Sequence, residues 1–380
     1  MDLGLTEIQQ MLKTSAQDFL ARECPLTLVR EMEEDSRGFT DELWRQMVGL
    51  GWTGVAFPEQ YGGTGGNFAD LGVLLEEIGR SLAPSPFFST VVLGGMTVLD
   101  GGSDAQKDEL ISRICAGTII MTMAVTEAGA AYEPWDIQAI ASQQGGGYEI
   151  TGTKLFVADA AAADVILVAA RTSSGSDPAD GISLFLVPAG TAGLTTTPMQ
   201  SVGNERVFEV SLDKVNVSAD SAIGAVGEAW PIIDRAIMRA TAAQCIEMLG
   251  GSEAVLDMTV EYAKGRTQFG RAIGTFQAVQ HHCARMATDV EGSKNIAYQA
   301  VWRLSEGLPA QKEVAMAKAW IGPAYRRVCG TAHQCHGAIG FTKEHDLQLY
   351  TRRAKVHELT YGDANHHKEI VLQHLNDEEP

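Results

Sequence analysis

Apolar positions in the first 118 residues recur at helical spacing. Ile8, Leu12, Ala16, Phe19 and Leu20 fall on one face of a helix, and Thr6 with Gln9 forms a capping box ahead of them. A second helical run, FTDELWRQMVGLG, stops at Gly51. The turn-rich FPEQYGGTGG (57–66) then leads into a third, FADLGVLLEEIGRSL.

From about residue 119 the period changes. TIIMTMAVTE, GYEITGTKLFV, DVILVAAR, ISLFLVPA and RVFEVSLDKVNV are short β-type runs divided by Gly, Ser, Asp and Pro clusters. Such runs predict a small sandwich or barrel. From about Ala222 long helical periods return, running through IIDRAIMRATAAQCIEMLGGSEAVLDMTVEYAKGR, FQAVQHHCARMATDVEGSKNIAYQAVWRLSEG and QKEVAMAKAWIGPAYRRVCGTAHQCHG. A last helix starts near Asp363. The expected architecture is a multi-domain α+β chain. It has an N-terminal helical domain (1–118), a middle β-barrel or sandwich domain (119–221) and a C-terminal four-helix bundle (222–380).

Composition narrows the function. The formal charge of −19, from 29 basic and 48 acidic residues, argues against nucleic acid as the main partner. An anionic small ligand stays compatible, because a few Arg side chains or helix N-termini suffice to bind one. No apolar run reaches the ~18 residues of a membrane span, and MDLGLTEIQQ lacks the basic start of a signal peptide. Cys24, Cys115, Cys245, Cys283, Cys329 and Cys335 form no CxxC pair, so a reduced cytoplasmic protein with buried thiols is expected.

Five stretches then occur in order across the three regions: PEQYGG (58–63), AVTEAGA (124–130), ITGTK (150–154), YAKGRTQFGRAIGTFQAVQH (262–281) and QCHGAIGFTKEHDLQLYTRRAK (334–355). Through them the chain resembles the acyl-CoA dehydrogenases over essentially its whole length. The resemblance implies FAD held without a GxGxxG loop. It also implies oxidation of an acyl-CoA thioester to its 2,3-enoyl form, a homo-tetramer or dimer, and an electron-transfer flavoprotein as acceptor.

The resemblance also implies the cofactor residues. Val125 and Thr126 stand at the strand end that hydrogen-bonds the flavin ring, although a Thr there is equally read as an ordinary strand end. Phe156 stands where the family usually has a Trp on the isoalloxazine, and Ala158 where it has a Thr near flavin N5. Tyr132 replaces a Ser near the substrate's phosphates. Arg266 is always charged and forks onto a pyrophosphate, or else lies on a solvated helix face. In the family this Arg reaches the FAD of a neighbouring subunit, with Phe269 and Gln277 near the same cofactor. Gln334, Cys335, His336 and Gly337 match the turn at the adenosine end, where a Gly admits close backbone approach.

The chemistry needs a carboxylate to take the α-proton. The family's usual turn, Tyr-Glu-Gly-Thr, reads Thr360-Tyr361-Gly362-Asp363 here, so the Glu has become Tyr361, and a phenol of ordinary pKa is a poor base. The family's alternative position, on the first bundle helix, is Ala240. Glu247 lies two turns further, on nearly the same face and roughly 10 Å along, among apolar neighbours that would raise a carboxylate's pKa. It resembles the Glu of related members that handle bulky acyl chains. Glu247 is the expected base, with Asp363 the runner-up, better read as an N-cap. Family residues aligned with Asp363 and Asn365 touch FAD. The pairs His366–His367 and His281–His282 are adjacent on helices, point about 100° apart and match no Cys/His set, so no metal is expected.

The leading reading is an FAD-dependent acyl-CoA dehydrogenase acting on a bulky or branched acyl chain. Two others stay open: a non-catalytic partner subunit of a heteromeric dehydrogenase, paired with a paralogue, and a non-oxidative eliminase on the same fold.

Overall fold

The computed structural model describes residues 4–129 and 132–377. The helices preceding the sheet are α1 (Glu7–Glu23), α2 (Leu26–Glu34), α3 (Asp41–Gly49), α4 (Phe68–Ser81), α5 (Met96–Gly101) and α6 (Asp104–Cys115). The strands are β1 (Met121–Ala124), β2 (Ile140–Gln144), β3 (Gly147–Ala158), β4 (Val165–Arg171), β5 (Ile182–Pro188), β6 (Leu194–Met199), β7 (Val207–Ser218) and β8 (Ala222–Ile223). The long helices follow: α7 (Trp230–Gly265), α8 (Gln277–Ser305), α9 (Gln311–His336), α10 (Leu347–Leu359) and α11 (Ala364–Asp377). Between α7 and α8 sits a small hairpin, β9 (Thr267–Gln268) with β10 (Arg271–Ala272).

Local chemistry sets the helix starts. Thr6 and Gln9 cap α1 reciprocally, each side chain bonded to the other's backbone N–H at 3.2 and 3.0 Å. Asn67 and Asp70 do the same for α4. Among the described residues no helix is long and apolar enough to cross a membrane.

The contacts divide the chain into two compact units. One gathers α1, α4, α8–α11 and α7 from Thr241 onward. In it α4 is buried on nearly every face, so it carries little polar surface and three acidic side chains that need partners. Glu76 takes a salt bridge from Lys13 at 2.5 Å and the Tyr298 hydroxyl, and Glu77 an amide hydrogen bond from Gln17 at 3.0 Å. Helix α7 presses in on two sides through consecutive glycines. A Cβ on Gly250 would meet the Glu76 carbonyl at 1.8 Å, and one on Gly251 the Tyr325 hydroxyl at 2.3 Å.

The other unit holds Glu31–Gly66 and Pro84–Ala240, including the sheet. Its strands run β6-β7-β3-β2-β4-β5-β8, with β1 parallel to β4. Ile150 of β3, Val210 and Val215 of β7, Ile166 and Val168 of β4, and Phe185 of β5 share one core, so the sheet wraps over a single apolar interior. The β3–β7 ladder slips register between Ile150 and Gly152 and again between Lys154 and Val157. Each slip bends the strand and re-aims its side chains.

Candidate active site

In the sheet unit, Val125 and Thr126 follow the end of β1 and are bound to β3 at its second bulge. Leu155 donates its N–H to the Thr126 carbonyl at 2.8 Å. Lys154 lies fully buried beneath this corner, its Nζ donating to the Val125 carbonyl at 3.2 Å and to Glu127 Oε1 at 2.6 Å. Burial holds the lysine's pKa below its usual value, against the opposing pull of the Glu127 charge. Glu127 also accepts the N–H groups of Gln138 and Ala139, each at 3.0 Å. A buried ion pair with its spare oxygens occupied thus fixes the backbone of 125–127. The lysine ends the ITGTK stretch, and its one visible signal was a charge in an otherwise alternating strand.

Phe156 sits in the bulge with a left-handed φ of 56° and 56% of its surface exposed. Both conditions are unfavourable for a lone aromatic residue, and a flat ring stacked on it would relieve the exposure. Ala158 lies at the strand's end, its carbonyl accepting the Thr122 hydroxyl at 2.7 Å. Val125, Thr126, Phe156 and Ala158 therefore share one corner. Tyr132 has a left-handed φ of 55°. Ala130 of the AVTEAGA stretch lies outside the described residues.

In the helical unit a second group forms where α7 and α9 end. The Tyr262 ring stacks on His336 at 4.4 Å, and its hydroxyl donates to the His336 carbonyl at 3.4 Å. Just beyond Tyr262, Arg266 leads exposed into the hairpin, whose turn is Phe269-Gly270 with φ of 52° and 79°. Two left-handed residues are what a two-residue hairpin of native twist demands. Phe269 stands at its tip, 92% exposed. Gln277 opens α8, also exposed. Gln334 is exposed, Cys335 and His336 are buried, and Gly337 takes φ 64°. His336 donates Nδ1–H to the Ala332 carbonyl at 2.8 Å, which leaves Nε2 a buried acceptor with no hydrogen-bond partner. Burial also keeps its pKa low.

Glu247 lies half-buried on α7 between fully buried Ile246 and Met248, two turns after buried Ala240, and its backbone abuts Gly79 of α4. The Thr360–Gly362 turn carries Tyr361 with φ 60° and Gly362 with φ 92°. His367 Nε2 donates to the Tyr361 carbonyl at 2.8 Å. Asp363 Oδ1 accepts the N–H groups of Asn365 and His366 at 3.0 and 2.9 Å, and these bonds hold its carboxyl below the usual pKa. It caps α11. Asn365 is exposed in the first turn of α11. The His366 and His367 rings meet edge-on at 5.0 Å, and no group of His, Cys, Asp or Glu among the described residues could hold a metal.

Family models match the chain in all three regions. The acyl-CoA dehydrogenase N-terminal, middle and C-terminal domain models match residues 6–118, 122–215 and 227–376. The chain belongs to the acyl-CoA dehydrogenase family. Among solved structures it is similar to the ChsE4–ChsE5 complex from Mycobacterium tuberculosis (31% identity, TM-score 0.90, 100% of both chains). It is also similar to butyryl-CoA dehydrogenase from Megasphaera elsdenii (28%, 0.92, 99% of this chain and 100% of that one). A third is a steroid acyl-CoA dehydrogenase variant, Tcur3481–Tcur3483 (29%, 0.87, 99% of each).

This acyl-CoA dehydrogenase is an oxidoreductase whose cofactor is FAD. Its residues suit that group: an exposed ring at Phe156, an orphaned buried nitrogen on His336, and a left-handed glycine at 337 that leaves backbone open to a ligand. The six cysteines are all free.

Proposed function

We propose that the enzyme dehydrogenates a bulky or branched acyl-CoA at its α,β-carbons, with Glu247 as the base. The observation that carries this reading is the pattern of vacancy on one helix and one turn. Tyr361 fills the turn position and Ala240 the first helix position, while Glu247 is a carboxylate on the same helix, set between buried apolar side chains. A half-buried carboxylate at that place on the helix is the group of the right type to take a thioester's α-proton. Asp363 is the weaker candidate, because its acceptor oxygen is occupied by two backbone donors.

A bound FAD would supply the hydride acceptor for the β-hydrogen. The residues of this chain do the rest. Thr126 and the backbone of 125–127, held rigid by Lys154, together with Phe156, would hold the flavin ring. Ala158 offers no hydroxyl at the position usually filled by Thr. Arg266, Phe269, Gln277 and the Gln334–Gly337 turn, with Asp363 and Asn365, would hold the remainder of the cofactor, partly across a subunit boundary in a dimer or tetramer. Glu247 takes the α-proton onto its carboxylate, and the electron pair left behind forms the double bond. An electron-transfer flavoprotein is the natural oxidant of the reduced cofactor, and six free thiols suit a reducing cytoplasm. The likeness to a steroid acyl-CoA dehydrogenase supports a bulky acyl group.

The test is Glu247→Gln. The variant should keep the flavin's visible absorbance and lose roughly 10²–10⁴-fold in turnover, the usual weight of a general base. Full activity in this variant would overturn the assignment.

A second reading has a specific observation behind it. Both common base positions are vacant, and the chain is similar to a structure of a two-component complex. In that reading the chain is a non-catalytic subunit paired with a paralogue. Flavin-free, inactive protein when expressed alone, restored by co-expression with the paralogue, would favour it.

A further inference from the structure

Lys318 of α9 is 1% exposed and, among the described residues, has no carboxylate as a hydrogen-bond partner. Its Nζ donates to Gln244 Oε1 at 2.7 Å, to the Thr360 carbonyl at 2.7 Å, and to the His357 carbonyl. Gln244 is one helical turn before Glu247 on α7, whereas the two carbonyls belong to the end of α10 and the turn that carries Tyr361. A buried cation facing three uncharged acceptors is costly unless the geometry needs all three.

We propose that Lys318 is a positioning residue, whose ammonium ties the Glu247-bearing turn of α7 to the Thr360–Gly362 turn. The inference rests on Glu247 being the base.

An ammonium has three N–H donors, matching three acceptors one for one. A neutral amine has two N–H donors and would turn its lone pair on a carbonyl or amide oxygen, so one link would be lost. The turn needs such bracing, because Tyr361 is a non-glycine residue in a left-handed conformation.

The charged and titratable groups around Lys318 come from every element packed on it. From α7, the Cys245 thiol is pushed up to about 12 by burial and is neutral. From α10, burial holds His357 neutral, and Glu358 is engaged by Lys355 at 3.1 Å and Arg326 at 3.3 Å. From the turn and α11, Asp363 is a capping carboxylate and burial lowers His367 to about 4, leaving it uncharged. Little counter-charge is left for the lysine, and burial lowers it to about 8. The tie therefore loosens in mildly alkaline solution. The sign for stability is opposite. With its folded value below its unfolded one, Lys318 binds fewer protons folded than unfolded, so global stability from this group rises as pH climbs past about 8. A merely structural lysine would move melting temperature and activity together, whereas a positioning one separates them.

The test compares the flavin-loaded wild-type protein with Lys318→Met and Gln244→Leu. Turnover and KM are measured across pH, with hydrogen–deuterium exchange on the 357–367 segment. In the wild type, kcat should fall above about pH 8 while protection in that segment, relative to the intrinsic exchange rate, drops and the Lys318 contribution to melting temperature does not fall. Lys318→Met should lose roughly a hundredfold in kcat at neutral pH, the scale of a 1 Å misplacement, with KM little changed and the alkaline limb gone. If Lys318→Met does not fold, Gln244→Leu carries the test through a partial loss of kcat and faster exchange. Protection of that segment that stays constant across pH in the wild type, once the intrinsic base-catalysed rate is divided out, or an alkaline limb that persists without the lysine's tie, overturns the proposal. The exchange readout needs no turnover. An active Glu247→Gln beside protection that drops above about pH 8 would remove the base assignment and leave the tie standing.

Discussion

Gly79 of α4 lies against the backbone of Glu247. A Cβ at position 79 would come within 2.2 Å of the Glu247 carbonyl oxygen and 2.5 Å of its Cα. Gly250, one turn further on α7, meets the Glu76 carbonyl in the same way. The two helices therefore touch backbone to backbone, with no side chain between them to adjust their spacing.

That contact makes Gly79→Ala informative. The added methyl cannot be absorbed by rotating a side chain, so α7 must shift. The expected cost is about 1–3 kcal/mol of stability, the range for an overpacked core. Turnover should fall further than the stability loss explains, because the displaced segment carries Glu247. Melting temperature and kcat, measured on the same preparation, check both parts.

Phe156 offers a trade between folding and cofactor retention. Its left-handed backbone costs a non-glycine residue roughly 1–2 kcal/mol, and its ring is mostly exposed. Phe156→Gly should raise the stability of the flavin-free protein by about 1 kcal/mol while weakening flavin retention. Thermal melts of stripped protein and flavin release on dilution give the two readings. Unchanged retention would mean the ring does not pack on the cofactor.

Asp363 is testable through acid sensitivity. Its folded pKa is depressed by the two N–H groups it accepts, so its contribution is present above the unfolded value and lost as pH falls through the folded one. Asp363→Asn keeps an N-cap of equal rank, and Asp363→Ala loses about 1 kcal/mol. The Asn variant should retain turnover at neutral pH and lose part of the acid dependence of unfolding. Turnover abolished in the Asn variant would point to Asp363 as the base instead.

The readable parts of the sequence were those governed by short-range periodicity. The Thr6–Gln9 cap, the apolar face of α1 and the long helices from α7 to α9 all follow from spacing along the chain. The exposed strands did not read that way. β2, IASQQ, is polar and mostly solvated, and β6, LTTTPM, contains a proline and is half-exposed, so neither alternates apolar with polar as a strand pattern requires. Around Ala222 the helix starts later than the spacing predicts, because Ala222–Ile223 pairs at the sheet edge and α7 begins only at Trp230. At the site, the resemblance supplied candidate positions, but not their bracing. The Lys154–Glu127 pair spans 27 residues and the Lys318–Gln244 bond 74, and no local pattern marks either partner for the other.

The Phe269 knob has a consequence at the bench. A bare aromatic on the end of a rigid two-residue hairpin is a sticky surface in dilute solution until another chain covers it. Soluble yield of the lone chain, against yield when a candidate paralogue is produced beside it, thus asks which protein provides the cover. A batch of clear, monodisperse oligomer from a single gene would answer that a second copy does.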